Sequence, residues 1–531
     1  MKESRKFLLA MIFAFAAVSF SSANDIYVAQ NAAGGDTGAD CADAHSAAWF
    51  NTGSNWGSGS NQIGSGTTVH LCGTFTGAAG STMLATQGSG TSGNPITLFF
   101  ENGALFQAPY WGSNGAINVP NNYIVIDGGT NGAIENTLNG TPGGACLAGA
   151  CTQQQTSQGL LATGNNVTIQ NLTVTHIYVH TEDVNDDLGG ANTGIATQGS
   201  NVLVTKNTVD NAYTGIQNGG TNTDNIEFSF NTLTFCNHCL KSAISNGNVT
   251  NLKMHDNDVS SMYNWDQLDN HYHHNGIFVF ALAGCHTGAM YYNNYIHGMM
   301  SRDQAYGASH VTGWMFLEYC NTGAMVFNNI LEADADAGKQ RLNYPANGFI
   351  TEGGQNDTGS TYYWNNTIVA AQSAGNCIDV GYSGNTVNIY NNLLGNCGSM
   401  IMVQSGVTMN IDYNLYFQTG GTVGPWVIGN GQYHTFSAWQ KGCNCDSHTL
   451  SGNDPKLDAS YHLQAGSPAI QQSANLTNLG ISALDLDKAE VARPGGTCSG
   501  QGSACNWDQG VYQFSNNPPP SPPTGLSAIV N

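Results

Sequence analysis

The chain has 531 residues, with 13 Lys+Arg against 35 Asp+Glu and a formal charge of −22, yet only 9% of its residues are charged. So acidic a balance disfavours nucleic acid, whose phosphates it would repel. A surface built mainly from Asn, Gly, Ser and Thr suits hydroxyl-rich ligands such as glycans, and a polyanionic substrate would need a local basic cleft or a bridging cation.

Lys2, Arg5 and Lys6 precede an apolar stretch from Phe7 to Phe20 and then Ser21-Ser22-Ala23. This is the pattern of a secretory signal cut after Ala23. The stretch is too short to cross a bilayer, and no later segment is long enough. A secreted product, extracellular or periplasmic, with no membrane span and acting as a monomer is expected. Loss of residues 1–23 removes Lys2, Arg5, Lys6 and Glu3, leaving 10 basic and 34 acidic side chains and a charge near −24. The 14 cysteines predict disulfides in such a compartment. Close spacing suggests Cys41/Cys72, Cys146/Cys151, Cys285/Cys320, Cys377/Cys397 and Cys498/Cys505, with Cys236/Cys239 and Cys443/Cys445 tighter still. Cys236-Asn-His-Cys239 could also be a redox or metal motif, but no second CxxC supplies further ligands, which favours a structural role.

Residues 24–120 hold strand-like TTVHLCGTF and PITLFF and read as an N-terminal cap with the first coils. Residues 121–416 form a regular body, 417–515 the C-terminal coils and a closing segment, and 516–531 a Pro-rich tail. The tail, PPPSPPTGLSAIVN, resembles a linker followed by the opening of a fibronectin-type domain.

Asparagines punctuate the body at one point of a recurring phrase: Asn171, Asn207, Asn231, Asn257, Asn294, Asn329, Asn366, Asn392 and Asn414. Each is flanked by β-branched or aromatic residues, and the intervals run from 22 to 37 residues. A strand-built repeat of that period reads as a solenoid. Asparagine tolerates the left-handed turn, and its amide can donate and accept along a stack. The expected fold is therefore all-β, a right-handed parallel β-helix with an asparagine ladder. A second series follows each phrase after a loop: GIATQ from Gly194, GIQNG from Gly215, AIS from Ala243, GIFVF from Gly276, GWMFL from Gly313, GFITE from Gly348 and CIDVG from Cys377. It predicts the next strand of each coil.

The Asn phrases, the coil period and the ending HLQAGSPAI…ARPGG…WDQGVYQF together resemble the pectin-lyase-like superfamily of exported right-handed β-helix proteins. That resemblance covers nearly the whole chain beyond the signal. It implies one of several chemistries, among them polysaccharide lyases, glycoside hydrolases, epimerases and non-catalytic surface proteins. The chain lacks the arginine pattern of pectate lyases and the NTDG and GHG segments of polygalacturonases. HHNG at 273–276 has Asn275 where an acidic residue would support a carboxylate mechanism.

Four segments between the Asn strand and the Gly-apolar strand are rich in reactive side chains; the last three, 259–275, 297–312 and 331–347, belong to consecutive coils, so stacking would bring them together as one wall of a groove. The first carries Glu182, Asp183, Asp186 and Asp187, candidate ligands for Ca²⁺ together with Asp334 and Asp336 of the fourth. The second offers Asp269, His271, His273 and His274, with Tyr263, Trp265 and Tyr272 to stack on sugar rings. The third offers Arg302, Asp303 and His310 with Tyr306 for stacking, and the fourth adds Lys339 and Arg341. Elimination from a uronate needs a base, here a His or a Lys or Arg of lowered pKa, and something to neutralise the carboxylate: Arg302, Arg341 or Ca²⁺. Hydrolysis needs two facing carboxylates instead. A lyase acting on a uronate-containing polysaccharide is the leading expectation, with a non-catalytic glycan-binding β-helix and a carboxylate-pair hydrolase as alternatives. Lys206, Lys241 and Lys253 lie on or beside strands, where a solvated face is the expectation.

Overall fold

The computed structural model describes residues 25–138, 156–177, 192–262, 274–300, 313–333, 348–353, 359–370, 375–496, 498, 501–503 and 505–515, with the Met299 side chain left out. Strands with a period-2 apolar pattern recur three times per turn of chain and pair in parallel with their counterparts one turn on. Three sheets result. Sheet I runs from Asp25–Ala29 through Val167–Gln170 and Gly247–His255 to Thr408–Asp412. Sheet II includes Ala133–Asn136, Asp258–Met262 and Leu415–Phe417, and sheet III includes Gln158–Ala162, Asn275–Ala281, Gly313–Tyr319, Gly348–Gly353 and Asn376–Val380. Parallel register makes identical positions stack in columns. Val167, Val202 and Ile226 align in sheet I, and Ile277, Met315 and Ile350 in sheet III, and all six fill the interior.

The turn from sheet I to sheet II carries the ladder. The Nδ2 of Asn207, Asn231, Asn257, Asn294, Asn329, Asn366 and Asn392 each donates to Oδ1 of the next asparagine at 3.0–3.1 Å, ending at Asn414. Each Oδ1 also accepts the preceding asparagine's backbone N–H, as Asn329 does from Asn294 at 3.0 Å. Asn414 completes the stack on Thr449 Oγ1 (3.0 Å). Asn171 stands outside it. Leu172 occupies the ladder position of that coil, its N–H reaching Asn207 Oδ1 at 3.0 Å. The left-handed residue is the one before each rung: Lys206, Phe230, Asp256, Asn293, Asn328, Asn365, Asn391 and Tyr413, with Asn171 among them at φ 56. The expectation that one asparagine both turns the chain and forms the rung is thus corrected. Two adjacent residues divide those tasks, because a rung must point inward while the bend needs positive φ.

The same turn explains the C-terminal segment. From Ser473 to Phe514 the chain runs back along this edge of the coils. Asn328 Nδ2 donates to Leu486 O (2.9 Å), Asn365 Nδ2 to Gly510 O (3.1 Å), and Asn391 exchanges two bonds with Ala474 (2.9 and 3.0 Å). Buried Arg493 donates to Asn328 Oδ1 (2.9 Å) and Val511 O (3.1 Å) and lies 5.2 Å from the Trp507 ring. Leu484 and Trp507 pack on Phe327 and Trp364 of sheet I's outer face, while Leu463 and Ala469 pack on Leu393, Leu415 and Phe417 of sheet II. Burying each large apolar side chain stabilises by about 1.5–3 kcal/mol. Asn-Asn doublets mark the covered coils, and Lys-Asn, Phe-Asn and Asp-Asn mark the preceding ones.

Six disulfides join described cysteines: Cys41–Cys72, Cys236–Cys239, Cys285–Cys320, Cys377–Cys397, Cys443–Cys445 and Cys498–Cys505. Cys236-Asn-His-Cys239 is therefore a bridge. Cys146 and Cys151 lie outside the described residues. No described helix is long and apolar enough to cross a membrane.

Candidate functional site

The strand ends that bracket all four reactive segments lie at one corner, between sheets II and III. Thr173–Thr175 and Thr193–Thr197 bracket the first, and Asp258–Met262 and Asn275–Ala281 the second. Tyr295–Met300 and Gly313–Tyr319 bracket the third, and Ile330–Glu332 and Gly348–Gly353 the fourth. In two coils the corner has no insertion. Thr208–Asn218 and Thr232–Ile244 run from sheet II into sheet III as single strands, bent at Asn211 and Phe235 with φ of 67 and 51.

Of the candidate residues named from the sequence, His274 alone is described. It is fully buried beside Asn275, whose Nδ2 donates to Gly313 O at 2.9 Å. Asp269, His271, His273, Arg302, Asp303, His310, Lys339 and Arg341 lie outside the described residues, as do Tyr263, Trp265, Tyr272 and Tyr306. The Ca²⁺ candidates Glu182, Asp183, Asp186, Asp187, Asp334 and Asp336 lie outside them too. Among the described residues no group of three or more His, Cys, Asp or Glu could hold a metal ion.

The described chemistry lies on sheet III itself. Register stacks Gln217, Lys241, Phe278, Phe316, Thr351 and Asp379 in one column, one residue past the interior column of Ile216, Leu240 and Ile277. Lys241 Nζ stands 5.7 Å over the Phe278 ring, which stacks on Phe316 at 5.6 Å and on His238 at 4.8 Å. No carboxylate pairs with Lys241 among the described residues. With an aromatic neighbour and little water, burial pulls its pKa down to about 8. Two residues along the strand, in the column of Phe280, Glu318 is pushed up to about 7 by burial. Burial likewise raises Asp379 to about 6, against the opposing hydrogen bond from Asn376 Nδ2 at 2.9 Å. With coils about 4.8 Å apart, Lys241 and Glu318 are two coils and two residues apart, about 12 Å between Cα atoms.

Across the corner, sheet II adds polar pairs: His297 Nε2 with Asp258 at 2.8 Å, and Tyr295 OH donating to Glu332 at 2.7 Å beneath the stacked His297 ring. Glu352 takes no part in this surface. Its column runs with interior Leu317, and it accepts from Tyr363 OH and, at 2.7 Å, from Gly381 N.

Lys241, expected from the sequence on a solvated face, is instead partly buried over the Phe278 ring, and Glu318 and Asp379 were missed by reading the loops. The signal was the outward residue of each Gly-apolar phrase, third in GIQNG, GIFVF and CIDVG and fourth in GWMFL and GFITE, with Glu318 two residues further on. Ile216 pairs with Leu240, so the phrase of that coil is Cys239-Leu240-Lys241, and AIS starts four residues further along, at Ala243 of the same strand.

No protein-family model matches the chain, and no curated protein sequence matches it. Among solved structures it is similar to a GH136 lacto-N-biosidase from Eubacterium ramulus, at 13% identity over 81% of this chain and 68% of that one, with a TM-score of 0.50. Similarity extends to pectate lyase Pel9A (14% identity, 94% and 98% covered, TM-score 0.42) and to XylC in complex with xylose (9%, 92% and 98%, TM-score 0.41). With three parallel sheets and a continuous ladder, the architecture is settled. The fold is a right-handed parallel β-helix. Within such a β-helix, one outer column gathers residues that are 20 to 40 positions apart in sequence, which is how Lys241 and Asp379 come to share a face.

Proposed function

We propose that the protein is an exported polysaccharide lyase that cleaves a uronate-containing glycan by β-elimination on the outer face of sheet III. The observation carrying this reading is Lys241, a lysine without a carboxylate partner among the described residues, whose pKa of about 8 leaves a usable fraction of free amine near neutrality. In the step proposed, Lys241 Nζ takes the C5 proton, and that electron pair forms the C4–C5 double bond. The C4–O bond then breaks, and the leaving oxygen takes a proton from Glu318, whose raised pKa keeps it partly protonated. Arg302 and Arg341 are the candidates to neutralise the uronate carboxylate, and His271 and His273 remain alternative bases. Six disulfides among the described residues suit an oxidising, exported setting. That a lacto-N-biosidase shares the fold suits a glycan ligand.

A second reading is a hydrolase using Glu318 and Asp379, favoured by the upward shift of both carboxyls. Incubation with a panel of uronate polysaccharides separates the two. The lyase yields ultraviolet absorbance from unsaturated ends, which Lys241→Met abolishes in a folded protein. New reducing ends without that absorbance, lost on Glu318→Gln or Asp379→Asn, would establish the hydrolase. Binding without either product would leave a glycan-binding protein.

A further inference from the structure

The first coils hold a cavity of about 480 Å³, far from the sheet III column. One wall is the loop 57–62, closed by a parallel bridge between Trp56 and Ile63, with Gly57 N donating to Ile63 O and Ile63 N to Asn55 O, both at 2.9 Å. Gln62 braces this loop from within: Oε1 accepts from Gly59 N (2.9 Å) and Nε2 donates to Ser54 O (2.8 Å). The opposite wall is Gln87-Gly88-Ser89, which follows the strand Leu84–Ala85. Trp56 lies between them, its Nε1 anchored on Phe50 O at 2.6 Å. A β-carbon at Gly88 would sit 3.3 Å from the Trp56 ring, so the bare glycine backbone lies close against it.

None of the lining residues is ionisable, in a chain that carries a charge of −22. A phosphate, a carboxylate or a metal ion would enter without a counter-charge and lose its hydration uncompensated. A wholly apolar ligand would take water from the Ser58 and Ser65 hydroxyls, the Ser89 O–H and Gln87 Oε1, while Gln62 is already engaged within its loop and Gln87 Nε2 on Ala85 O. One ligand class satisfies both walls: a neutral sugar, with hydroxyls for these groups and C–H surface for the part of Trp56 that lines the cavity. The walls are already fixed by the hydrogen bonds above, so little ordering accompanies binding.

We propose that this cavity is a binding site for a neutral sugar unit of the polymer, remote from the reacting bond. Five strand steps separate Leu84–Ala85 from Thr232–Ile244 along the stack, about 24 Å. A chain lying along the coils can reach both. The site rests on the glycan reading but not on the chemistry assigned to Lys241.

Affinity electrophoresis in gels containing neutral galactomannan, xyloglucan or mixed-linkage β-glucan tests it, with polygalacturonate and alginate gels run alongside. The wild type should be retarded by at least one neutral gel. Ser65→Trp, which fills the cavity from an exposed position, should weaken that retardation more than tenfold, and Gln87→Ala severalfold. Lys241→Met should be retarded as wild type even where it has lost turnover, so the two sites fail separately. If Ser65→Trp does not fold, Gln87→Ala decides. Migration of the wild type unretarded through every neutral gel, retardation by anionic gels alone, or cavity variants retarded as wild type would each overturn the proposal.

Discussion

Replacing one central rung, Asn329→Leu, tests whether the ladder stabilises the coils or merely accompanies them. Asn329 is fully buried; its Oδ1 accepts from Asn294 N and Nδ2, both at 3.0 Å, and its Nδ2 donates to Tyr291 O (2.8 Å) and Asn366 Oδ1 (3.0 Å). Removing the amide orphans the Asn294 backbone N–H and takes from Tyr291 O its side-chain donor. The other two groups keep partners, since Asn294 Nδ2 still reaches Met254 O and Asn366 Oδ1 still accepts Asn329 N. One orphaned N–H at about 1–3 kcal/mol, with Tyr291 O, Phe327 O and Asn366 Oδ1 each losing one donor, gives a loss of about 2–5 kcal/mol. Asn171→Ala is the control. It loses one bond, Nδ2 to Asp127 at 2.9 Å, and places alanine at φ 56, outside the ladder, and should cost about 1–2 kcal/mol. Urea unfolding followed by far-ultraviolet circular dichroism gives both values. An Asn329→Leu protein within 1 kcal/mol of wild type, or one no worse than Asn171→Ala, would refute the ladder's energetic role.

Lys241 and Lys488 both have folded pKa values lowered to about 8, so the unfolded chain binds more protons between about pH 8 and 10.5. Stability should therefore rise across that window, and Lys241→Met should flatten part of the rise in a urea titration at several pH values. With Lys241 as base and Glu318 as acid, turnover should be bell-shaped with its maximum between about pH 7 and 8, and Glu318→Gln should remove the dependence on the lower of the two values. Glu318 is shifted the other way, to about 7, so the folded chain holds its proton longer and stability falls as pH rises from about 4.5 to 7. Glu318→Gln should then be the more stable protein at pH 8 and equal to wild type at pH 4, as measured by thermal unfolding. Arg493→Leu removes the donors to Asn328, Gly510 and Val511 and should cost about 2–5 kcal/mol. It should also open the C-terminal segment to limited proteolysis before the coils.

The coil period was legible because closing a turn of three strands forces recurrence, and the ladder asparagines expose that recurrence in plain sequence. The one-residue slip at Asn171 was not, since an asparagine serves equally well as rung or as left-handed bend. The sheet III column was obscured by the uninterrupted strand Thr232–Ile244: with no loop to mark where sheet III begins, AIS stood in for the true phrase at Cys239. Loops dense in His and Asp draw attention, whereas a column contributes a single side chain per coil. The docking of the C-terminal segment was written in the Asn-Asn doublets, but the first asparagine of each doublet states a turn and leaves its partner unnamed.

That returning segment changes how the molecule comes apart and how it is made. In a simple solenoid each repeat touches its neighbours alone, and unravelling starts at a free end. Here Asn293, Asn328, Asn365 and Asn391, on four successive coils, are bonded to residues 474–510, so the last coil cannot peel away without releasing them all. Those four coils should behave as one cooperative block, and during synthesis they wait for residues 474–510 before their outer aromatic rings leave water.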